Sequence, residues 1–337
     1  MQHPNQLIRP SASRHAAEVG YFDAPGAQAQ CESASHILGA VGYGITRPDF
    51  LPQACPFVAA PLGPGGGGTM LELWRTPSPC RAINLGPVTG AYNDDLAFGA
   101  MTLEEASGVS LEETVEAAYL RIFDFLDYAA FASPIRFWNY LSEISLEEAG
   151  LERYRRFNIG RQRAFAARLS EALPPAASGV GGNQGASAIY FLAAHAPAHP
   201  IENPRQISAF AYPPVYGPQS PSFSRASVYH AGTRALMFIS GTASIVGHES
   251  RHEDDLQGQT AETIENLRAV IRTSGVTGFG NWAFKIYLRD PTHRSTVDRA
   301  LISAFGADSQ RLYLHGEICR PELLLEIEAF CSGEGHD

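Results

Sequence analysis

The spacing of apolar residues divides the second half of the chain into a regular series of elements. Helical spacing of Ile264, Leu267, Val270 and Ile271 predicts one helix, and strict alternation around Lys285 predicts a strand. The predicted order is strand, helix, strand, helix, strand, strand, at 236–241, about 260–273, 282–289, 297–305, 310–318 and 323–329.

The first half follows the same order. Its first helix begins at a capping box, Ser110 to Glu113, and its second helix carries Tyr154, Asn158, Arg161 and Phe165 on one face. Strands are expected at 96–99, 135–141, 188–193 and 207–212, after two strand-like pieces at 57–60 and 70–74. Residues 1–50, rich in Ala, Ser, Pro and Gly, are expected to be irregular. The pattern therefore predicts two copies of one α+β unit, with a first domain over 1–213 and a second over 214–337.

Composition narrows the possible partners. The chain has 337 residues, 45% of them apolar, and a formal net charge of −10, which argues against nucleic acid or an anionic membrane as the main partner. It has neither a run of about 18 apolar residues, as a membrane span requires, nor the basic and apolar segments of a signal peptide. Its five cysteines form no CxxC pair, which suits reduced thiols and predicts a cytoplasmic protein.

The last predicted strand contains a carboxylate in an otherwise apolar run. Glu326 lies among Leu323, Leu324, Leu325 and Ile327. A buried carboxylate must find a cation or keep its proton, and a protonated glutamate can act as a general acid near neutral pH. Alternatively, the shared parity of Glu326 and Glu328 would turn both toward solvent.

Cationic residues supply further candidates. Lys285 is the only lysine of the chain and shares a strand face with Tyr287. That face is either exposed to solvent or directed into a pocket that binds an anion. Arg320, Arg161 and Arg225 could bind carboxylates in a bidentate fork, although an arginine in such a position is more often a surface residue.

Two motifs give weaker signals. His248-Glu249-Ser250-Arg251-His252 fits the HExxH pattern of zinc peptidases, which requires a helix. Here the motif follows Gly247 and precedes a turn-like segment, which favours a polar loop over a metal site. The glycine-rich segment at 64–68 lacks the Lys-Ser/Thr ending of a phosphate-binding loop.

Several short segments together resemble one known family. They are 136–140 (Arg-Phe-Trp-Asn-Tyr), 201–204 (Ile-Glu-Asn-Pro), 216–218 (Tyr-Gly-Pro), 238–240 (Phe-Ile-Ser), 258–259 (Gly-Gln), 285–287 (Lys-Ile-Tyr), 314–315 (Leu-His) and 325–328 (Leu-Glu-Ile-Glu). Their order is similar to that of the chorismatases, relatives of the RidA/YjgF superfamily, over about residues 130–330. The resemblance implies two RidA/YjgF-like units in one chain, each a mixed β-sheet with helices packed on one face.

The resemblance also implies a reaction and roles for residues. Glu326 would protonate the enolpyruvyl methylene of chorismate, and substrate would be bound by Lys285, Tyr287, Arg320, Arg161, Tyr154, Tyr216 and Arg225. Cysteine at the position of Cys319 accompanies aromatisation in this family, so the expected products are 3-hydroxybenzoate and pyruvate. Neither a metal nor an organic cofactor is expected.

Several alternatives remain open at this stage. The chain could be a bifunctional 3-/4-hydroxybenzoate synthase, or it could hydrolyse chorismate to a dihydroxycyclohexadiene carboxylate. More distant possibilities are a RidA-like enamine/imine deaminase, a zinc hydrolase using His248, Glu249 and His252, and a metabolite-binding module without turnover. The pocket could lie between the two units of one chain, whether the protein is a monomer or a homo-oligomer.

Overall fold

A computed structural model of the protein describes residues 17–33, 36–169, 173–183, 185–232, 234–278 and 280–334. Within these ranges the fold is α+β, as the sequence predicts, and it contains three main sheets. Among the described helices, none is both long and apolar enough to cross a membrane.

The N-terminal sheet pairs its strands in the order β1-β5-β2-β3. One of its faces packs against α1 and the other faces the rest of the molecule. The elements of this segment are β1 (Glu18–Phe22), α1 (Ala24–Cys31), β2 (His36–Tyr43), β3 (Phe57–Ala60), β4 (Gly63–Pro64) and β5 (Met70–Thr76).

The first of the two larger sheets belongs to the first half of the chain. Its order is β12-β9-β13-β8-β7-β6, and the helices α2 and α3 cover one face. The elements are β6 (Arg81–Leu85), β7 (Val88–Tyr92), β8 (Leu96–Thr102), α2 (Leu111–Ala129), β9 (Ser133–Ser142), β10 (Glu147–Glu148), β11 (Leu151–Glu152), α3 (Arg153–Arg168), β12 (Ala176–Gly182) and β13 (Ala188–Ala194).

The second larger sheet has the order β14-β15-β16-β21-β19-β20-β4, with α4 and α5 on one face. The elements are β14 (His199–Ile201), β15 (Ala226–Ala231), β16 (Arg234–Thr242), β17 (Ile245–Val246), β18 (Glu249–Ser250), α4 (Leu256–Thr273), β19 (Gly280–Leu288), α5 (Arg294–Phe305), β20 (Gln310–His315) and β21 (Leu325–Glu334). Short 3₁₀ turns occupy Ala209–Ala211, Pro214–Tyr216 and Pro291–His293.

The two larger sheets share one topology. If β4 is set aside and the remaining six strands of each sheet are numbered along the chain, both sheets have the spatial order 1-2-3-6-4-5. In both, the fourth and fifth strands are parallel and joined through a helix, while the other ladders are antiparallel. The predicted repeat of one α+β unit is therefore confirmed. The strand β14 already belongs to the second sheet, so sheet membership changes between Ala194 and His199, upstream of the predicted division at 214.

Local sequence explains the longest helix. The side chain of Ser110 accepts from the amide of Glu113, and the Glu113 carboxylate accepts from the amide of Ser110, which completes the predicted capping box. The helix ends at Ala130, which adopts the left-handed conformation with φ of 60°. Its apolar face packs on the first sheet and on α3.

The faces opposite the helices meet in a shared core. Trp74 of the N-terminal sheet contacts Trp138 of the first sheet and Phe330 of the second, with ring centroids 5.5 and 5.2 Å apart. The three sheets therefore enclose one apolar interior.

Two expectations from the sequence were wrong. Residues 18–22, 24–31 and 36–43 form β1, α1 and β2, although the segment 1–50 was expected to be irregular. Residues 207–212, expected as a strand, contain a 3₁₀ turn. The apolar residues of that segment are buried at Ala209 and Tyr212 but exposed at Ile207 and Phe210, a spacing of three that fits a helical turn.

Candidate active site

A cavity of about 650 Å³ lies between the two halves of the chain. The first half contributes α3 and β12, and the second half contributes β16, β21 and the segment before β21. The segment between β14 and β15, residues 206–225, closes another side. The expectation that the two units form a pocket between them is thus confirmed within this chain.

Glu326 reaches this cavity because of an irregularity in the neighbouring strand. The register between β16 and β21 shifts after Ile239, so that Ser240 and Gly241 together oppose one residue of β21. Gly241 faces the Glu326 carboxyl so closely that a β-carbon there would overlap Oε1. Glycine at this position is therefore required for the carboxyl group to occupy its place in the pocket.

The Glu326 carboxyl is 6% exposed and holds its proton unusually firmly. Burial, reinforced by the negative charge of Glu328, raises the pKa of Glu326 from 4.5 to about 8. The guanidinium groups of Arg136 and Arg225 act in the opposite direction. At neutral pH Glu326 is mainly a neutral acid that can donate a proton. The exposed position considered for it and for Glu328 is excluded.

Glu328 lies on the same face of β21 as Glu326, but it is a carboxylate whereas Glu326 is a neutral acid. Burial by itself raises the pKa of Glu328, but the cations of Lys285 and Arg136 hold that pKa below its usual value. Lys285 Nζ lies 2.9 Å from Oε1, and Arg136 Nη2 lies 2.8 Å from Oε2. Trp138 and Ser178 donate two further hydrogen bonds to the carboxylate, at 2.7 and 2.6 Å.

Three buried arginines give the cavity a positive lining. Arg161, Arg225 and Arg320 are at most 9% exposed, and none of them forms an ion pair with a carboxylate of the described chain. The Nε atoms of Arg161 and Arg225 also lack a hydrogen-bond partner among the described residues. Buried guanidinium groups without counterions predict that the pocket binds an anion.

Backbone carbonyls and aromatic rings fix two of these arginines. Arg320 donates to the carbonyl of His248 at 2.8 Å and stacks over Tyr216, 4.1 Å from its centroid. Tyr216 donates to the same carbonyl at 2.7 Å. Arg225 donates to the hydroxyl of Tyr212 at 2.9 Å. These bonds do not neutralise the guanidinium charges, so the charges remain available to a ligand.

Cys319 and Tyr154 line the cavity beside Glu326. Burial, together with the neighbouring Glu326, raises the pKa of the Cys319 thiol to about 12. Burial likewise raises the pKa of the Tyr154 phenol above its usual value. Both groups stay protonated near neutral pH, so they add bulk and weak hydrogen-bond donors but no charge.

The structure brings together seven of the nine residues named from the sequence. Glu326, Cys319, Arg320, Arg161, Tyr154, Tyr216 and Arg225 all line the cavity. Lys285 and Tyr287 do not line it. Lys285 Nζ is instead paired with the carboxylates of Glu72, at 2.8 Å, and Glu328, and the Tyr287 hydroxyl lies 2.9 Å from that of Tyr140. The face they occupy is covered by the other sheets, so it is neither exposed to solvent nor open to the pocket.

Several important residues were not identified from the sequence. Glu72, fully buried in β5, and Arg136, in β9, complete the ion network around Lys285 and Glu328. Both residues interrupt apolar strands, as Glu326 does, and this interruption could have identified them from the sequence. Tyr212, Ser178 and Gly241 gave no signal, because their roles depend on contacts between distant segments.

The HExxH motif adopts a hairpin. His248 precedes β18, and His252 has φ of 60° before α4 begins, so the two histidines do not share a helical face. The interpretation of this motif as a polar loop is confirmed. No group of three His, Cys, Asp or Glu side chains in the described ranges is arranged to hold a metal ion.

The site combines a neutral carboxylic acid with an excess of positive charge. It can bind a small dianion through guanidinium groups and can transfer one proton to that ligand. Because the site lies between the two α+β units, both halves of the chain are needed to form it.

Comparisons with known proteins agree with this architecture. A family model described as "Chorismatase FkbO/Hyg5-like, N-terminal" matches residues 72–193. The chain is 32% identical to a 3-hydroxybenzoate synthase of Streptomyces hygroscopicus, over 92% of this chain and 96% of that protein. It is 32% identical to a chorismatase of Streptomyces rapamycinicus, over 92% and 95% of the two chains. A crystal structure of a chorismatase superimposes with a TM-score of 0.85 at 28% identity, covering 95% of this chain and all of the other.

Proposed function

The chain belongs to the chorismatase family, and on that premise we propose that it converts chorismate to 3-hydroxybenzoate and pyruvate. One observation carries the proposal. The protonated Glu326 lies in a cavity lined by three buried arginines that have no carboxylate counterion in the described chain. This combination fits a dianionic substrate that must accept a proton.

Chorismate matches both requirements. It carries a ring carboxylate and an enolpyruvyl carboxylate, which Arg161, Arg225 and Arg320 would bind from different sides of the cavity. Glu326 would give its proton to the methylene carbon of the enol ether. The adjacent carbon then becomes oxocarbenium-like, which weakens the bond between the ring carbon and the ether oxygen.

The subsequent steps release pyruvate and form the aromatic ring. In the family route the ring hydroxyl displaces the pyruvyl group, the ether bond breaks, and pyruvate leaves as its ketone. The resulting epoxide opens and the ring loses a proton, so no water is consumed overall. Glu326, now a carboxylate, must regain a proton before the next turnover.

The product assignment depends on Cys319. Its thiol stays neutral beside Glu326 and occupies a place in the cavity wall. The expectation that cysteine here accompanies aromatisation, together with the similarity to a 3-hydroxybenzoate synthase, supports 3-hydroxybenzoate as the product. A mixture of 3- and 4-hydroxybenzoate, or a dihydroxycyclohexadiene carboxylate, would be the alternative outcome.

A cytoplasmic location, which the five free thiols favour, is part of the proposal.

The experiment is to incubate the purified protein with chorismate and follow pyruvate release. Wild-type protein should release pyruvate, and Glu326→Gln should lose about 100-fold or more of that rate while still binding chorismate. Absence of pyruvate with the wild-type protein would refute the proposed reaction. Wild-type turnover by the Gln variant would refute the role of Glu326.

A further inference from the structure

A buried ion network lies directly behind the cavity. Lys285 Nζ is 2.8 Å from a carboxylate oxygen of Glu72 and 2.9 Å from one of Glu328, and Arg136 binds the other oxygen of Glu328. The four side chains come from β5, β9, β19 and β21, and all are at most 4% exposed. The two basic and the two acidic side chains of the network balance in charge.

Hydroxyl groups complete the network. Tyr140 and Tyr190 accept hydrogen bonds from Lys285 at 3.0 and 2.7 Å, and Tyr43 donates to Glu72 at 2.7 Å. Trp74 donates to the other oxygen of Glu72 at 2.7 Å. Each carboxylate of the network is therefore held by several donors, and its position is fixed.

Two connections lead from this network to the acid in the pocket. Glu326 and Glu328 are alternate residues of β21 and point to the same side of the sheet. Ser178 donates to Glu328 at 2.6 Å and accepts from the amide of Gly241 at 3.0 Å, while Gly241 packs against the Glu326 carboxyl. The network thus fixes both the neighbouring charge and the bulge that accommodates Glu326.

We propose that Glu328, held as a carboxylate by Lys285 and Arg136, is a positioning residue that keeps Glu326 uncharged and ready to donate its proton. If Glu326 lost its proton, a second negative charge would lie near the carboxylate of Glu328. The repulsion between the two charges disfavours ionisation of Glu326. Glu72 balances the charge of Lys285, whereas Glu328 is the carboxylate that acts on Glu326. The role in catalysis rests on the proposed function, whereas the effect on the charge of Glu326 does not.

The other charged groups around Glu326 have identifiable effects. Arg136 from β9 and Arg225 ahead of β15 favour its ionised form. The thiol of Cys319 and the phenol of Tyr154 are neutral, and Arg161 and Arg320 line the same cavity. Glu147, Glu152 and Glu322 also line the cavity, but Glu328 is the carboxylate that raises the pKa of Glu326, so its removal should have a clear direction.

The test compares Glu328→Gln with Glu72→Gln. Each variant replaces one of the two carboxylates paired with Lys285 by an amide of the same shape. In Glu328→Gln the pKa of Glu326 should fall by about 1 to 2 units, because the neighbouring anion is gone. The alkaline limb of kcat/KM for pyruvate release should move to lower pH by the same amount. In Glu72→Gln, the limb should keep its wild-type position, because Glu328 remains beside Glu326. An unchanged limb in Glu328→Gln, or an equal displacement in Glu72→Gln, would overturn the proposal.

Two double variants guard against misfolding, because both keep the network electroneutral. Lys285→Met with Glu328→Gln leaves Arg136 and Glu72, and Lys285→Met with Glu72→Gln leaves the direct pair of Arg136 and Glu328. The proposal predicts an acid-shifted limb in the first double variant and a wild-type limb in the second. The opposite order would contradict it.

A direct titration separates this inference from the proposed reaction. The carboxyl stretching band of Glu326, identified by its loss in Glu326→Gln, can be followed by infrared difference spectroscopy against pH without substrate. A midpoint near 8 that moves down in Glu328→Gln supports the positioning role even if chorismate is not turned over. A midpoint unaffected by Glu328→Gln would refute that role even if pyruvate is released.

Discussion

The α-carbon of Gly241 packs against the carboxyl group of Glu326, in a space too small for a β-carbon. The contact arises where β16 bulges opposite β21, two strands of the same sheet. The bulge opens the space through which Glu326 reaches the cavity, so the proposed proton transfer from Glu326 depends on a glycine in another strand.

Gly241→Ala is therefore expected to impair the proposed reaction by displacing Glu326. The added methyl group would overlap Oε1 of Glu326 and displace the carboxyl group from its place. We expect kcat for pyruvate release to fall by about 10- to 100-fold, since misplacement of a reacting group by about 1 Å is that costly. Steady-state kinetics with chorismate measures the effect.

Gly280→Ala is the matched control. Gly280 also lies in a strand of the second sheet, but a β-carbon there would meet no atom within 4 Å. This variant should keep wild-type kcat. Equal losses in the two variants would indicate a general loss of stability in place of a displaced acid.

Glu326→Gln should make the fold more resistant to unfolding at alkaline pH. The folded-state pKa of Glu326, about 8, lies above the ordinary 4.5, so the folded protein retains a proton that the unfolded chain loses. Wild-type stability therefore declines as pH rises from 4.5 to 8, and the Gln variant lacks this decline. Urea unfolding should show the variant gaining on the order of a few kcal/mol over this range. A difference between the two proteins that does not change with pH would contradict the raised pKa.

Arg225→Met should weaken substrate binding. Arg225 is 5% exposed and has no carboxylate partner in the described residues, so its charge is available to a substrate carboxylate. Loss of one charge-assisted contact should lower kcat/KM by about 10- to 100-fold, mainly through KM.

Arg155→Met provides the comparison for that variant. Arg155 also lines the cavity, but it is 37% exposed and already paired with Glu152 at 2.9 Å. Its loss should change kcat/KM by less than about threefold. Similar losses in the two variants would argue against a selective role for the uncompensated arginine.

Cys319→Ala should change the product more than the rate. The thiol of Cys319 lies in the cavity wall beside Glu326 and is uncharged at neutral pH. We expect the variant to release pyruvate but to divert part of the ring product to the dihydroxycyclohexadiene carboxylate. Chromatography of the reaction mixture tests this expectation. An unchanged product spectrum would show that the side chain only fills space.

Sequence patterns identified the repeat and Glu326 because both can be recognised from the residues of short segments. Helical spacing and alternation identify elements within one segment, and Glu326 interrupts an apolar strand. The same reasoning placed Lys285 on a distinct strand face. It could not show that this face is covered by β5, from a segment more than 200 residues away in sequence, which supplies Glu72 as a partner.

The remaining site residues depend on long-range geometry. Tyr212 reaches Arg225 from a 3₁₀ turn that resembles a strand in sequence, since its apolar residues are also consistent with alternation. Gly241 matters because of a register shift between β16 and β21, and no local pattern records which strand lies next to which.

The most direct test of the central claim is to identify and quantify the ring product formed from chorismate by the wild-type protein. Liquid chromatography against authentic standards should show 3-hydroxybenzoate accumulating in equal amount with pyruvate. Pyruvate accompanied by 4-hydroxybenzoate or by a non-aromatic diol acid as the main product would contradict the product assignment. Intact chorismate with no pyruvate would contradict the reaction itself.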